Sequence, residues 1–106
     1  MEIKDGRLVL EGDEVYGLNT VVEGLIRDAL KAKLDREDAW CSYPARLSGV
    51  TEWRAKVEEM HWAFNELAED SPGRPRITDR EAVRAYGERL RRGCLDFAEY
   101  VDDLWD

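Results

Sequence analysis

The sequence predicts a small α+β fold in one domain: a three-helix bundle carrying an N-terminal β-hairpin. Three observations predict it. Apolar residues recur at three- and four-residue spacing in three separate stretches. Segments rich in Ser, Pro and Gly divide those stretches. An Asp-Gly pair stands between two short alternating runs at the N-terminus, the signal of a two-residue type I′ hairpin. The chain has 106 residues and is 43% hydrophobic, enough for one modest core. Charged residues make up 38%, yet the apolar spacing is regular, which argues against general disorder.

The hairpin is expected over about residues 2–16, with strands near 2–4 and 7–10 around Asp5-Gly6 and a third short strand in "VYG". A ribbon this short is marginal alone and needs a surface to pack on. Helix 1 is expected over about 20–34. Thr20 and Glu23 form a capping-box pattern, and Val22, Leu25, Ile26, Ala29, Leu30 and Leu34 follow at helical spacing. The segment "LDREDAWCSYPARLSG" reads as an ordered connector, because Pro44 disfavours helix at Tyr43 while Trp40, Tyr43 and Leu47 supply apolar anchors. Helix 2 is expected over about 50–69, with a stripe of Trp53, Val57, Met60, Phe64 and Leu67. "DSPGRPR" ends it.

Helix 3 is expected over about 78–105, opened by a second capping box, Thr78 with Glu81. Val83, Tyr86, Leu90, Cys94, Phe97, Val101 and Leu104 make the longest apolar stripe in the chain. At 1.5 Å per residue it is about 42 Å long, against about 30 Å for helix 2. It therefore overhangs its neighbour or bends near Gly93.

Charge is uneven. Net charge is −8. Residues 74–92 hold 7 Lys+Arg against 3 Asp+Glu, and residues 93–106 hold 5 Asp+Glu and no Lys or Arg. Most of such a surface repels nucleic acid, so no direct nucleic-acid partner is expected. The arginines at 80, 84 and 91 share one side of helix 3 and are expected to pair within the chain or to face a protein. No apolar run approaches the roughly 18 residues that span a bilayer. The N-terminus has no basic start and apolar centre of the secretory type. A cytoplasmic protein with no membrane partner is expected, its Cys41 and Cys94 kept as free thiols.

Chemistry-bearing constellations are sparse. Two cysteines and one histidine lack zinc-site spacing. Glu58 and His61 make a single Glu-x-x-His step, where helical di-iron sites use two. The glycines match neither a P-loop nor a dinucleotide fingerprint. Cys41 and His61 belong to no nucleophile motif. The expectation is no enzyme, no cofactor and no metal.

Trp62 raises the functional question. It lies nine residues past Trp53, half a turn from the helix 2 stripe. Its neighbours there are Glu58, Glu59, Asn65, Glu66 and Glu69. Either the hairpin, the connector or a homodimer seam covers it, or it is an exposed aromatic anchor with an acidic rim, suited to a partner rich in Arg and Lys. The C-terminus repeats the theme. Phe97, Val101 and Leu104 face the core, the acids lie away from it, and Tyr100 and Trp105 lie on the flanks. Acids there oppose the helix macrodipole, each at a cost of about 0.3–1 kcal/mol.

These observations predict a non-catalytic acidic domain that binds another protein and occludes a basic, possibly nucleic-acid-binding, site on it. Phage anti-defence proteins and immunity or antitoxin inhibitors have this physical profile. Trp62, Tyr100 and Trp105 are the expected anchors. Glu58, Glu59, Glu66, Glu69, Asp102 and Asp103 are the expected steering charges. Imitation of DNA by helix 2 alone is too dilute: its four glutamates give one charge per about 4.5 Å, where duplex DNA has one per about 1.7 Å. The alternative is a structural adaptor or homo-oligomeric assembly protein, with a homodimer possible.

Overall fold

The computed structural model describes residues 2–9, 12 and 18–104. Strands β1 (Glu2–Lys4) and β2 (Arg7–Val9) are followed by α1 (Leu18–Leu34), a 3₁₀ turn (Glu37–Trp40), α2 (Val50–Ala68), α3 (Arg80–Tyr100) and a closing 3₁₀ turn (Val101–Asp103). The third strand expected at "VYG" and the anchor expected at Trp105 lie outside the described residues.

The α+β expectation is corrected: the folded body is three helices, with no sheet layered on it among the described residues. β1 and β2 are three residues each and pair with one another, Ile3 opposite Leu8, through a turn in which Asp5 and Gly6 both have positive φ (53° and 76°). Neither strand has an extended contact with a helix among the described residues. Among the described residues, the core cluster draws on α1, the connector, α2, α3 and Leu104 after the closing turn.

Local chemistry sets the helix ends. α1 opens at Leu18, so Thr20 lies inside the helix instead of capping it, and Lys31 and Lys33 sit favourably in its last turn. Before α2, Glu52 reaches back to accept from the Ser48 backbone N–H (3.3 Å) and hydroxyl. At the far end the chain turns left-handed at Asp70 (φ 60°) and Ser71 (φ 59°), and the Ser71 N–H donates to the Glu66 carbonyl at 2.7 Å. That is the six-to-one bond of a Schellman close. α3 is capped one residue later than expected, by Asp79, whose carboxylate accepts from the Ala82 N–H at 3.1 Å. It runs unbroken through Gly93.

α2 is the central helix. α1 packs along one side of it and α3 along the other. Trp53, Val57 and Met60 are 1%, 0% and 0% exposed, with Leu30, Leu47, Phe64 and Tyr100 around them. Each such burial contributes about 1.5–3 kcal/mol. Phe64 meets the Phe97 ring edge-on at 5.0 Å, and Trp53 meets Tyr100 at 5.6 Å. α2 and α3 cross very closely at Ala63 and Gly93. A Cβ on Gly93 would stand 2.6 Å from the Ala63 Cβ and 2.8 Å from the Glu59 carbonyl oxygen. The body is flat, 43 × 40 × 21 Å, with a radius of gyration of 15.5 Å, against about 13 Å for a compact chain near this length.

Candidate partner-binding site

Trp62 does leave α2 on the side away from Trp53, but α3 reaches over it. The Arg89 guanidinium lies 3.8 Å from the Trp62 ring centre, and Tyr86 meets the same ring edge-on at 5.6 Å. Trp62 is therefore half-buried, between the covered and the exposed placements that the sequence left open. Among the described residues, no ring or cation contact to Trp62 comes from the hairpin or the connector. One edge of the ring still lines an open cleft of about 450 Å³ shared with Gly73, Pro75, Tyr86 and Arg89.

The expected acidic rim is largely neutralised within the chain. Glu59 takes a forked pair of bonds from Arg89, at 3.1 and 2.7 Å, and this drives the Arg89 pKa further up. Glu58 pairs with Arg54 at 3.2 Å, and Glu69 pairs with Arg27. Glu66, expected on the surface, is 2% exposed; its carboxylate accepts from the Gly73 N–H at 2.7 Å and fixes the α2–α3 loop. Four charges expected to steer a partner thus hold the chain to itself, and the DNA-like density on this face is lower than the spacing implied.

At the C-terminus the phase of α3 is rotated from the expected one. Tyr100, expected on a flank, is a core residue at 4% exposure, pressed on Trp53 and roofed by the Arg46 guanidinium at 4.4 Å. Asp96, expected outward, is buried at 6%. The apolar stripe expected to form the core lies to one side of the α2 contact. Val83 and Val101 are 37% and 44% exposed. Phe97, Val101 and Leu104 face Ile26, Ala29 and Leu30 of α1 across an open apolar groove of about 330 Å³. Asp102 and Asp103 sit in the turn that follows α3; Asp102 is exposed, and Asp103 is half-buried at a small separate pocket with Tyr43, Pro44 and Trp53.

The remaining candidates resolve simply. His61 stands among Arg27, Lys31, Asp28 and Asp35; burial first, and then the two cations, lower its pKa. Its step partner Glu58 is engaged with Arg54. No group of three metal-binding side chains comes together among the described residues. Cys94 is half-buried and its thiol pKa is pushed up by burial; Cys41 is exposed and donates to the Asp38 carbonyl at 3.2 Å. Arg80, Arg84 and Arg91, expected to pair within the chain or to face a protein, are exposed on α3 with no ion pair or hydrogen bond among the described residues. No helix among the described residues is long and apolar enough to cross a membrane.

Sequence reasoning missed two features. The first is the set of cations laid over rings: Arg89 on Trp62, Arg46 on Tyr100, and Lys33 and Arg54 on either approach to Trp40, at 5.0 Å each. No sequence spacing encodes these contacts. The second is the Ala63–Gly93 crossing, for which a small residue on each helix was the available signal.

Compared with known proteins, the chain matches no family model, no curated protein and no solved structure.

Proposed function

We propose that this chain is a non-catalytic binding domain that masks a basic segment of another protein. The groove between α1 and α3 carries this reading. The last three residues of the long α3 apolar stripe, Phe97, Val101 and Leu104, line it and stay partly open to solvent, with Asp102 next in sequence to Val101. An apolar trough with Lys33 on its α1 wall and Asp102 beside its α3 wall suits an amphipathic helix that has an apolar face and lysines or arginines along the edge turned to α3. Phe97 and Leu104 would seat the apolar face, and Asp102 would speed encounter. Trp62 serves as a secondary edge contact in its own cleft. A cytoplasmic setting suits the exposed Cys41 thiol. Occlusion of a partner's basic site follows from such capture and needs no catalytic group on this chain.

The test uses a fluorescent Lys/Leu amphipathic peptide of about five helical turns. Saturable binding is expected, weakened at least tenfold by Val101→Asp and by Ala29→Glu, both at exposed positions. Association should slow as salt rises. A scrambled peptide of the same composition that bound equally well would sink the reading, since charge alone would then explain the binding.

A further inference from the structure

The face of α3 turned away from α2 carries a second, independent pattern. Arg80, Arg84, Gly87, Arg91, Leu95 and Ala98 follow at spacings of four, three, four, four and three residues, and all six are exposed. At about 100° per residue they fall in one narrow stripe. Leu95 is 52% exposed. Gly87 has nothing within 4 Å of where a Cβ would stand, so no neighbour in this chain requires a glycine there. A mid-helix glycine is less stable than alanine and is at home where another backbone approaches.

Charge along this exposed stripe runs against the macrodipole, although Glu81 and the capping Asp79 at the start of the helix run with it. Arg80 and Arg84 occupy the first turns, at the positive pole of the macrodipole. The last turn has no basic residue, and Glu99 and Asp102 stand at the negative pole. Both placements oppose the helix's own field. An antiparallel copy of the same helix corrects both at once, bringing acids to the basic end and arginines to the acidic end. Glu99 already pairs with Arg46 at 3.5 Å, whereas Asp102 pairs with no cation among the described residues.

We propose that two copies of this chain associate through this face, α3 antiparallel to α3 about a two-fold axis near Arg91. The spacing then sets Leu95 of each copy over Gly87 of the other, where the missing Cβ leaves room. Arg80 meets the second copy's Asp102, and Arg84 meets its Ala98. Arg91, near the axis, reaches the second copy's Glu88. The arrangement is isologous and closes at two chains. A phosphate backbone fits less well, because the acidic end of the stripe and the net charge of −8 both repel it. The same net charge opposes pairing only at long range, since charges separated by more than about 8 Å are screened at physiological ionic strength.

Light scattering across a concentration series tests this. The wild-type chain is expected to rise toward twice its 12.3 kDa. A variant with Arg80→Glu and Arg84→Glu, and a second with Ala98→Arg and Asp102→Arg, should each remain single. Mixed, they should form a one-to-one complex, because each supplies the charge that the other's ends then require. Leu95→Glu should weaken association at least tenfold while circular dichroism shows helix retained. A wild-type chain that stays single throughout, charge variants that still pair with themselves, or a mixture that fails to combine would each overturn the proposal. So would a single chain that shifts random duplex DNA at low salt and loses this with the Arg80 and Arg84 changes, which would make the face a polyanion surface.

Discussion

The guanidinium of Arg89 does two things at once: it stacks on Trp62 and forks onto Glu59. Trp62 is thus part of the α2–α3 contact as well as a wall of a cleft. Full truncation of a buried tryptophan costs about 3–5 kcal/mol; for a half-buried ring, about 2 kcal/mol is expected from Trp62→Ala. Thermal melting checks this, with a fall of roughly 10 °C. A melting temperature unmoved by the change would mean that the ring carries none of the contact. His61 supplies a second residue-scale expectation. Its pKa is lowered in the fold, by burial first and then by Lys31 and Arg27, with Asp28 and Asp35 opposing. The folded state therefore favours the neutral ring. Its contribution to stability is fully present above the unfolded histidine pKa near 6.5, and is lost as pH falls through the lower folded value. Urea midpoints should drop between about pH 7 and pH 5, and His61→Gln should flatten that part of the profile. An unchanged slope in the variant would assign the dependence to the carboxylates.

At the scale of elements, the Ala63–Gly93 crossing sets how close α2 and α3 come. Gly93→Ala puts a methyl against the Glu59 carbonyl oxygen, which is backbone and yields little. Overpacking of this kind costs about 1–3 kcal/mol, more than the roughly 1 kcal/mol that alanine gains over glycine in a helix. Gly87→Ala on the open face is the control and should be neutral or stabilising in dilute protein. Denaturant midpoints at constant slope distinguish the two; equal effects would mean that the crossing is looser than its geometry implies. The same crossing marks how far the elements were legible in the sequence. Helix 2 was read closely, over 50–69 against Val50–Ala68, because its stripe faces one continuous core. Helix 3, expected over 78–105, is α-helical over Arg80–Tyr100, ends in a 3₁₀ turn, and is turned differently about its axis. Its large apolar side chains indicated one face, while Gly93, Asp96 and Tyr100 are the buried ones. Periodicity measures where apolar residues lie on a helix, and the burial of a glycine and a carboxylate is decided by the neighbour. For the same reason Glu66 and Tyr100 were read as surface: spacing on one helix cannot show that a second one crosses above it. The short N-terminal strands show the converse. The Asp5-Gly6 turn is local chemistry, but whether a ribbon joins the core is a tertiary matter.

Across the whole molecule, two helices lean on a third and leave a trough between themselves. That geometry makes the surface long for the chain's length, consistent with the flat outline. It also makes stability uneven. Most helix–helix contacts of α1 and of α3 are made with α2, whereas α2 retains one flank if either neighbour loosens. Amides from Val57 to Phe64, beneath 0% exposed side chains at Val57, Met60 and Ala63, should therefore exchange only through global unfolding. Amides of the first turns of α3, where Arg80, Glu81, Val83, Arg84 and Ala85 are all exposed, should exchange through smaller openings. Hydrogen-exchange mass spectrometry resolves the two classes. Occupation of the trough by a basic amphipathic helix should protect the end of α3 around Phe97 and Val101 while leaving the Arg80–Arg84 turn unchanged. Self-association through the outward face should protect residues 84–98 in a concentration-dependent way. Uniform protection along all three helices would contradict this view of α2 as the one element on which the others depend.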